Sequence, residues 1–120
     1  MTRSFFPNLL AAAALAVLPV ATAAQEAAPE LSLEQRMLLR CSAAFALVSA
    51  GQAKGNAEAL RFPRDEAAYR EFFVQAAARV MEETGMGRSA IESAMQREAQ
   101  DLVDNGSVAQ VMPACLSLLP

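Results

Sequence analysis

Apolar positions between Asp65 and Gly85 recur with the spacing of one helical face. Tyr69, Phe72, Phe73, Ala76, Ala77 and Val80 stand at i, i+3, i+4, i+7, i+8 and i+11. That spacing predicts a helix over 65–84, with Glu71, Gln75, Ala78 and Glu82 on its other face and Gly85-Met86-Gly87 as its end. Upstream, Ser32 and Gln35 have the S-x-x-Q spacing of a capping box and open a helix over 32–50, which Gly51 should stop. Its apolar residues form two nearly opposite stripes. One is Met37, Cys41, Ala44, Phe45 and Val48; the other is Leu39, Ala43, Ala46, Leu47 and Ala50. A helix apolar on both sides is either the central helix of its domain or presents one stripe to a second chain. Leu39, Ala43, Leu47 and Ala50 are the candidate interaction stripe.

Two further helices follow from the same signals. Ser89 and Glu92 match a capping box and open a helix over 89–104 that Asn105-Gly106 ends; Ser107 and Gln110 match another and open a helix over 107–118. Pro113 falls inside the last of these and predicts a kink or a restart there. Residues 51–63, with two glycines and a proline, read as a loop with one helical turn at 57–61. No stretch alternates as a strand does, and no repeat is present. The expected fold is all-α: a compact bundle of about four helices forming one domain over 32–120.

The N-terminus changes the picture of where this domain works. Arg3 is the only charge before an uncharged run that is densest from Leu9 to Leu18; Pro19 closes it, and Val20-Ala21-Thr22-Ala23-Ala24 supplies an A-x-A cleavage site. Those are the three parts of a secretory signal peptide over 1–24, cut after Ala23 or Ala24, with 25–31 (QEAAPEL) as a disordered lead-in. A retained anchor is the rival reading, but Pro7, Asn8 and Pro19 interrupt the run. A lipoprotein is not expected, since no cysteine directly follows the run and Cys41 sits behind Leu39 and Arg40, where a lipobox needs small residues. After cleavage no segment is long and apolar enough to span a bilayer. One lysine against nine arginines, with abundant alanine, fits a GC-rich bacterial genome, so the expected address is the periplasm or the medium.

Cleavage after Ala24 leaves 96 residues carrying nine basic and thirteen acidic side chains, a net charge of −4. Mild acidity argues against nucleic-acid partners, whose phosphates call for Lys and Arg. It also argues against adhesion to an anionic membrane surface. The chain has no histidine, which excludes Ser-His-Asp and Cys-His nucleophiles, His-ligated metals and c-type haem attachment. Lys54, the one lysine, lies in a Gly-flanked loop. Glu82, Glu83 and Glu92 are the carboxylates left for acid-base work, and no Trp accompanies them to hold a sugar. Asp101, Asp104, Asn105 and Gly106 lack the alternation of a calcium loop and read as a helix end. No enzyme, metal or cofactor is expected.

Two features remain. Cys41 and Cys115 are the only cysteines, in the first and last helices. In an oxidising compartment they read as a structural disulfide, since a redox pair favours C-x-x-C and a structural zinc site needs four ligands. Glu98 falls in line with Ile91, Met95 and Leu102, so a carboxylate interrupts the apolar stripe of the third helix. It lies at the stripe's edge or pairs with an arginine such as Arg40 or Arg79, or else it is a partly desolvated, acid-sensing carboxylate.

The segments RCSAAFALVSAGQ (40–52), EFFVQAAARVMEETG (71–85) and VMPACLSLLP (111–120) resemble a group of small, uncharacterised exported proteobacterial proteins. The resemblance implies an exported helical domain with a Cys41–Cys115 bridge and assigns no catalytic residue. In size, address and cysteine spacing the chain also resembles periplasmic acid-stress chaperones of the HdeA type. The expected function is a non-enzymatic envelope protein that binds another envelope protein or itself. An acid-responsive periplasmic chaperone is the alternative.

Overall fold

Why the first helix outruns its predicted stop shows how the domain is assembled. The structure, a computed structural model, describes residues 16–17 and 29–120. Most of the predicted leader and lead-in lies outside the described residues. Helix α1 spans Leu33–Ala53. Its predicted capping box is formed: the Gln35 N–H donates to the Ser32 hydroxyl (3.1 Å) and the Ser32 N–H to the Gln35 side-chain oxygen (2.9 Å). Gly51 does not end the helix. A Cβ there would lie 2.7 Å from the Cβ of Ala59, so this glycine serves close approach, letting the returning loop press against the helix. The chain turns instead at Gly55, whose φ of +72° is left-handed.

One 3₁₀ turn, Ala59–Arg61, interrupts the loop where a helical turn was expected. Helix α2 spans Glu66–Thr84, capped by the Asp65 carboxylate, which accepts from the Ala68 N–H (3.1 Å), and closed by left-handed Gly85. Helix α3 spans Arg88–Asp104 and α4 spans Val108–Leu116. Two predicted capping boxes are absent. The short Gly85–Gly87 link, pinned by buried Met86, delivers the chain into helical geometry at Arg88, so Ser89 already lies within α3. Glu92 receives the Arg88 guanidinium instead (3.2 Å). Ser107 precedes α4 but does not cap it. Its N–H closes the end of α3 on the Leu102 carbonyl (3.0 Å) beside left-handed Gly106, a Schellman-type arrangement. Its φ and ψ of −105° and 10° are not those of an N-cap, and its hydroxyl is buried without a partner. Helix α4 runs through Pro113 without a restart and ends two residues short of the predicted limit.

The domain is all-helical, four helices with no strand among the described residues. Helix α1 packs against α2, α3, α4 and the 3₁₀ turn, and α2 also touches α3. From Cys41 to Phe45 every residue of α1 is buried, as a helix covered on all sides requires. Two core clusters result. Cys41, Phe45 and Val48 meet Tyr69, Leu102, Met112 and Cys115 in one; Leu39 meets Val80, Met86, Ile91 and Met95 in the other. Phe45 stacks on Tyr69 (centroids 4.5 Å apart) and meets Phe72 edge-on (5.2 Å). Phe73, predicted on the buried face of α2, stands at its exposed edge. Cys41 and Cys115 are disulfide-bonded, with Cα atoms 5.2 Å apart, and tie α1 to α4 inside the first cluster. No helix among the described residues is long and apolar enough to cross a membrane.

Candidate functional site: an acid-rimmed apolar groove

The first turns of α1, the middle of α2 and the end of α4 do not close on one another. Between them run two adjoining hollows of about 230 and 580 Å³ that share Leu38, Phe72, Arg79 and Leu118. Leu33, the first residue of α1, is 78% exposed at the mouth, and Leu118 is 49% exposed just past α4. Met37, Leu38 and Phe72 are half-buried on the walls, and small Ala68 and Ala76 leave the floor low. Large apolar side chains lining one concavity, and still wet, are the ordinary material of a binding surface.

The rim is charged and ordered. Arg79 donates to Glu34 across the α1–α2 seam (2.6 Å) and to Glu83 one turn along its own helix (2.9 Å). Gln35 adds a bond to Glu83 (3.1 Å). The Glu83 carboxyl is held below the usual carboxylate range, by the Gln35 bond first and Arg79 next; Arg79 is correspondingly raised, chiefly by Glu83. Glu71, on the same rim, accepts from Gln75 (2.7 Å) and has no ion-pair partner among the described residues. Glu34, Glu71 and Glu83 thus face one arginine, and the groove is acidic.

The residues singled out in the sequence lie elsewhere. Of the candidate stripe, Leu39 and Ala43 are buried, Leu47 is half-buried against the first core cluster, and Ala50 is exposed. These four do not form one continuous surface. Glu98 is not a lone carboxylate. Its side chain is 16% exposed and accepts from Arg40 (2.8 Å), with Arg36 4.0 Å away. The same Arg40 nitrogen reaches Asp101 (2.7 Å), and the two carboxylates raise the Arg40 pKa, Asp101 contributing most. Of the two arginines considered for Glu98, Arg40 takes the role and Arg79 is engaged at the groove. Glu82, Glu83 and Glu92 are exposed. Among the described residues no group of three or more His, Cys, Asp or Glu could hold a metal ion.

At the far end of α1 the connecting loop is held firmly. The Gln52 amide donates to the carbonyls of Ala59 (3.1 Å), Phe62 (3.1 Å) and Pro63 (3.2 Å), and the Tyr69 hydroxyl donates to Pro63 (2.6 Å). Asn56 caps the 3₁₀ turn by accepting from Glu58 and Ala59. This frame presents Leu60, 39% exposed, beside Arg61 and Arg64, neither of which has an ion-pair partner among the described residues.

The groove draws on three elements, and sequence periodicity misses it. Leu33, Leu38 and Leu118 belong to neither stripe of α1 nor to a helical pattern, which is the one signal they leave in the chain. What the fold and groove define is a small disulfide-tied helical domain with an open apolar cleft. No family model, curated protein or solved structure matches the chain.

Proposed function

We propose that this chain is a non-enzymatic envelope protein, exported by its N-terminal leader, that holds an apolar segment of a protein partner in the acid-rimmed groove. The observation that carries the reading is the shared concavity in which Leu33 and Leu118 stay exposed beside half-buried Leu38 and Phe72. The buried disulfide suits an oxidising compartment and fixes α4 against α1, which places the Leu118 wall of the groove. The test is a photo-cross-linking amino acid placed at Leu118 and, as a control, at Gln96 on exposed α3, in the native envelope. Adducts from position 118 that disappear with Leu33→Ser are expected. Equal adducts from both positions, or none, overturn the reading.

An acid-responsive chaperone is the second reading, favoured by the interhelical ion pairs. Arg79–Glu34 joins α2 to α1, and Arg40 with Glu98 and Asp101 joins α1 to α3. Both ties are ion pairs between helices, the kind of contact that acid loosens.

A further inference from the structure

We infer that the groove's occupant is the Leu60–Arg64 loop of a second copy of this chain, so that copies join head to tail. The inference rests on the groove reading above and adds the partner to it. The groove offers apolar walls under an acidic rim: among the described residues Glu71 has no ion-pair partner, and Glu34 and Glu83 outnumber the Arg79 they share. The loop offers an exposed leucine followed by Arg61 and Arg64, which have no ion-pair partner among the described residues, with exposed Glu58 on its other side. Lys54 adds to them; of the nearby acids Glu66 pairs with Arg70 (2.8 Å) and Asp65 caps α2, and with Glu58 counted the loop keeps a small basic excess. In the joined pair Leu60 enters the hollow between Phe72 and Leu118. Arg64 meets Glu71, and Arg61 meets the Glu34–Glu83 side of the rim.

Two further observations favour a second copy over an internal contact. Ala59 is pressed against Gly51, and at 1.5 Å per residue Gly51 stands roughly 20 Å along α1 from Leu38, so Leu60 of the same chain stays out of its own groove. The loop is also fixed before it binds. Gln52, Asn56 and Tyr69 hold its backbone, so little ordering entropy is lost on docking. The two surfaces differ, which makes the contact heterologous: each added copy leaves one free groove and one free loop. A contact of this size is below that of stable complexes, so association is weak and grows with concentration.

Sedimentation of the folded, oxidised protein tests this. The weight-average mass should rise between about 10 µM and about 1 mM, the range of a small contact, and fall back as added salt screens the charges. Glu71→Arg and Arg64→Glu each sit on exposed side chains and should leave the circular dichroism unchanged while abolishing the rise. Mixed in equal amounts, the two variants again offer complementary pairs, the unreversed Arg64 with the unreversed Glu71 and the two reversed positions with each other, so the rise with concentration should return. A wild type that stays monomeric overturns the inference. So does association that neither reversal weakens, or a mixture that stays monomeric. The cross-linking above separates the two levels. Adducts at position 118 to a different protein keep the groove and remove the second copy; no adducts at all remove both.

Discussion

Gly51 is a residue whose role depends on another one eight positions away. In sequence an isolated glycine at the end of an apolar run is a stop signal. In the fold it is a contact, because Ala59 occupies the space its side chain would need. Gly51→Ala therefore removes a flexible residue from a helix, which alone would help by roughly 1 kcal/mol, but drives a methyl into backbone-bound Ala59. Overpacking of that kind costs about 1–3 kcal/mol, and the clash should win. Thermal unfolding followed by circular dichroism checks it: a lower melting temperature is expected, and a higher one would show that the 3₁₀ turn can back away. The cysteine pair was legible for the opposite reason. The count of two and the expected oxidising address suffice there, with no knowledge of neighbours.

At the scale of the element, three sequences matched the same capping pattern and one formed it. Periodicity located α2, because burial of one face dictates spacing whatever the partner, and the capping patterns with glycine stops located α1, α3 and α4 even where the caps themselves did not form. The caps depend on the backbone entering each helix, which the pattern does not encode. Ser32 enters extended and caps; Ser107 enters already tied to the end of α3. Ser32→Ala should therefore cost about 1 kcal/mol, the usual loss for an N-cap hydroxyl. Ser107→Ala should be neutral or stabilising, since it deletes a buried hydroxyl that has no partner. Chemical denaturation of both variants decides the matter, and equal losses would contradict the assignment. The groove was illegible for a related reason. Its walls come from α1, α2 and the chain after α4, and only packing makes them neighbours.

For the whole molecule, the charged seams set the response to acid. Glu83 has a folded pKa below its unfolded one, so its contribution is fully present above the unfolded carboxylate value, about 4.3 for Glu, and is lost as pH falls through the lower folded value. Arg40 and Arg79, raised by their partners, stay charged throughout this range. Stability should be level from neutral pH to about pH 5 and decline below about pH 4, where carboxylates protonate. Melting curves across that range measure it. The chaperone reading asks for more: a rise in apolar-dye binding near about pH 2–3, where carboxylates are largely protonated. Unchanged dye binding and circular dichroism down to that pH would leave the groove as a binding surface and remove the acid response.

The bridge between Cys41 and Cys115 makes a covalent ring of the chain between them, 74 positions apart. Outside the ring, within the described domain, are two short tails: the first two turns of α1 and the few residues after α4. Leu33, Met37 and Leu38 belong to one tail and Leu118 to the other, while Phe72 and Arg79 belong to the ring. One wall of the groove is thus inside the closed loop and the facing wall is made of its loose ends. Fraying of residues 33–38 and of the residues after α4 dismantles the groove, whereas Leu39 and Arg40, also outside the ring, stay anchored in the second core cluster and on Glu98 and Asp101. Occupancy of the groove should therefore be read in amide exchange at residues 33–38 and 116–119, and hardly at all within the ring.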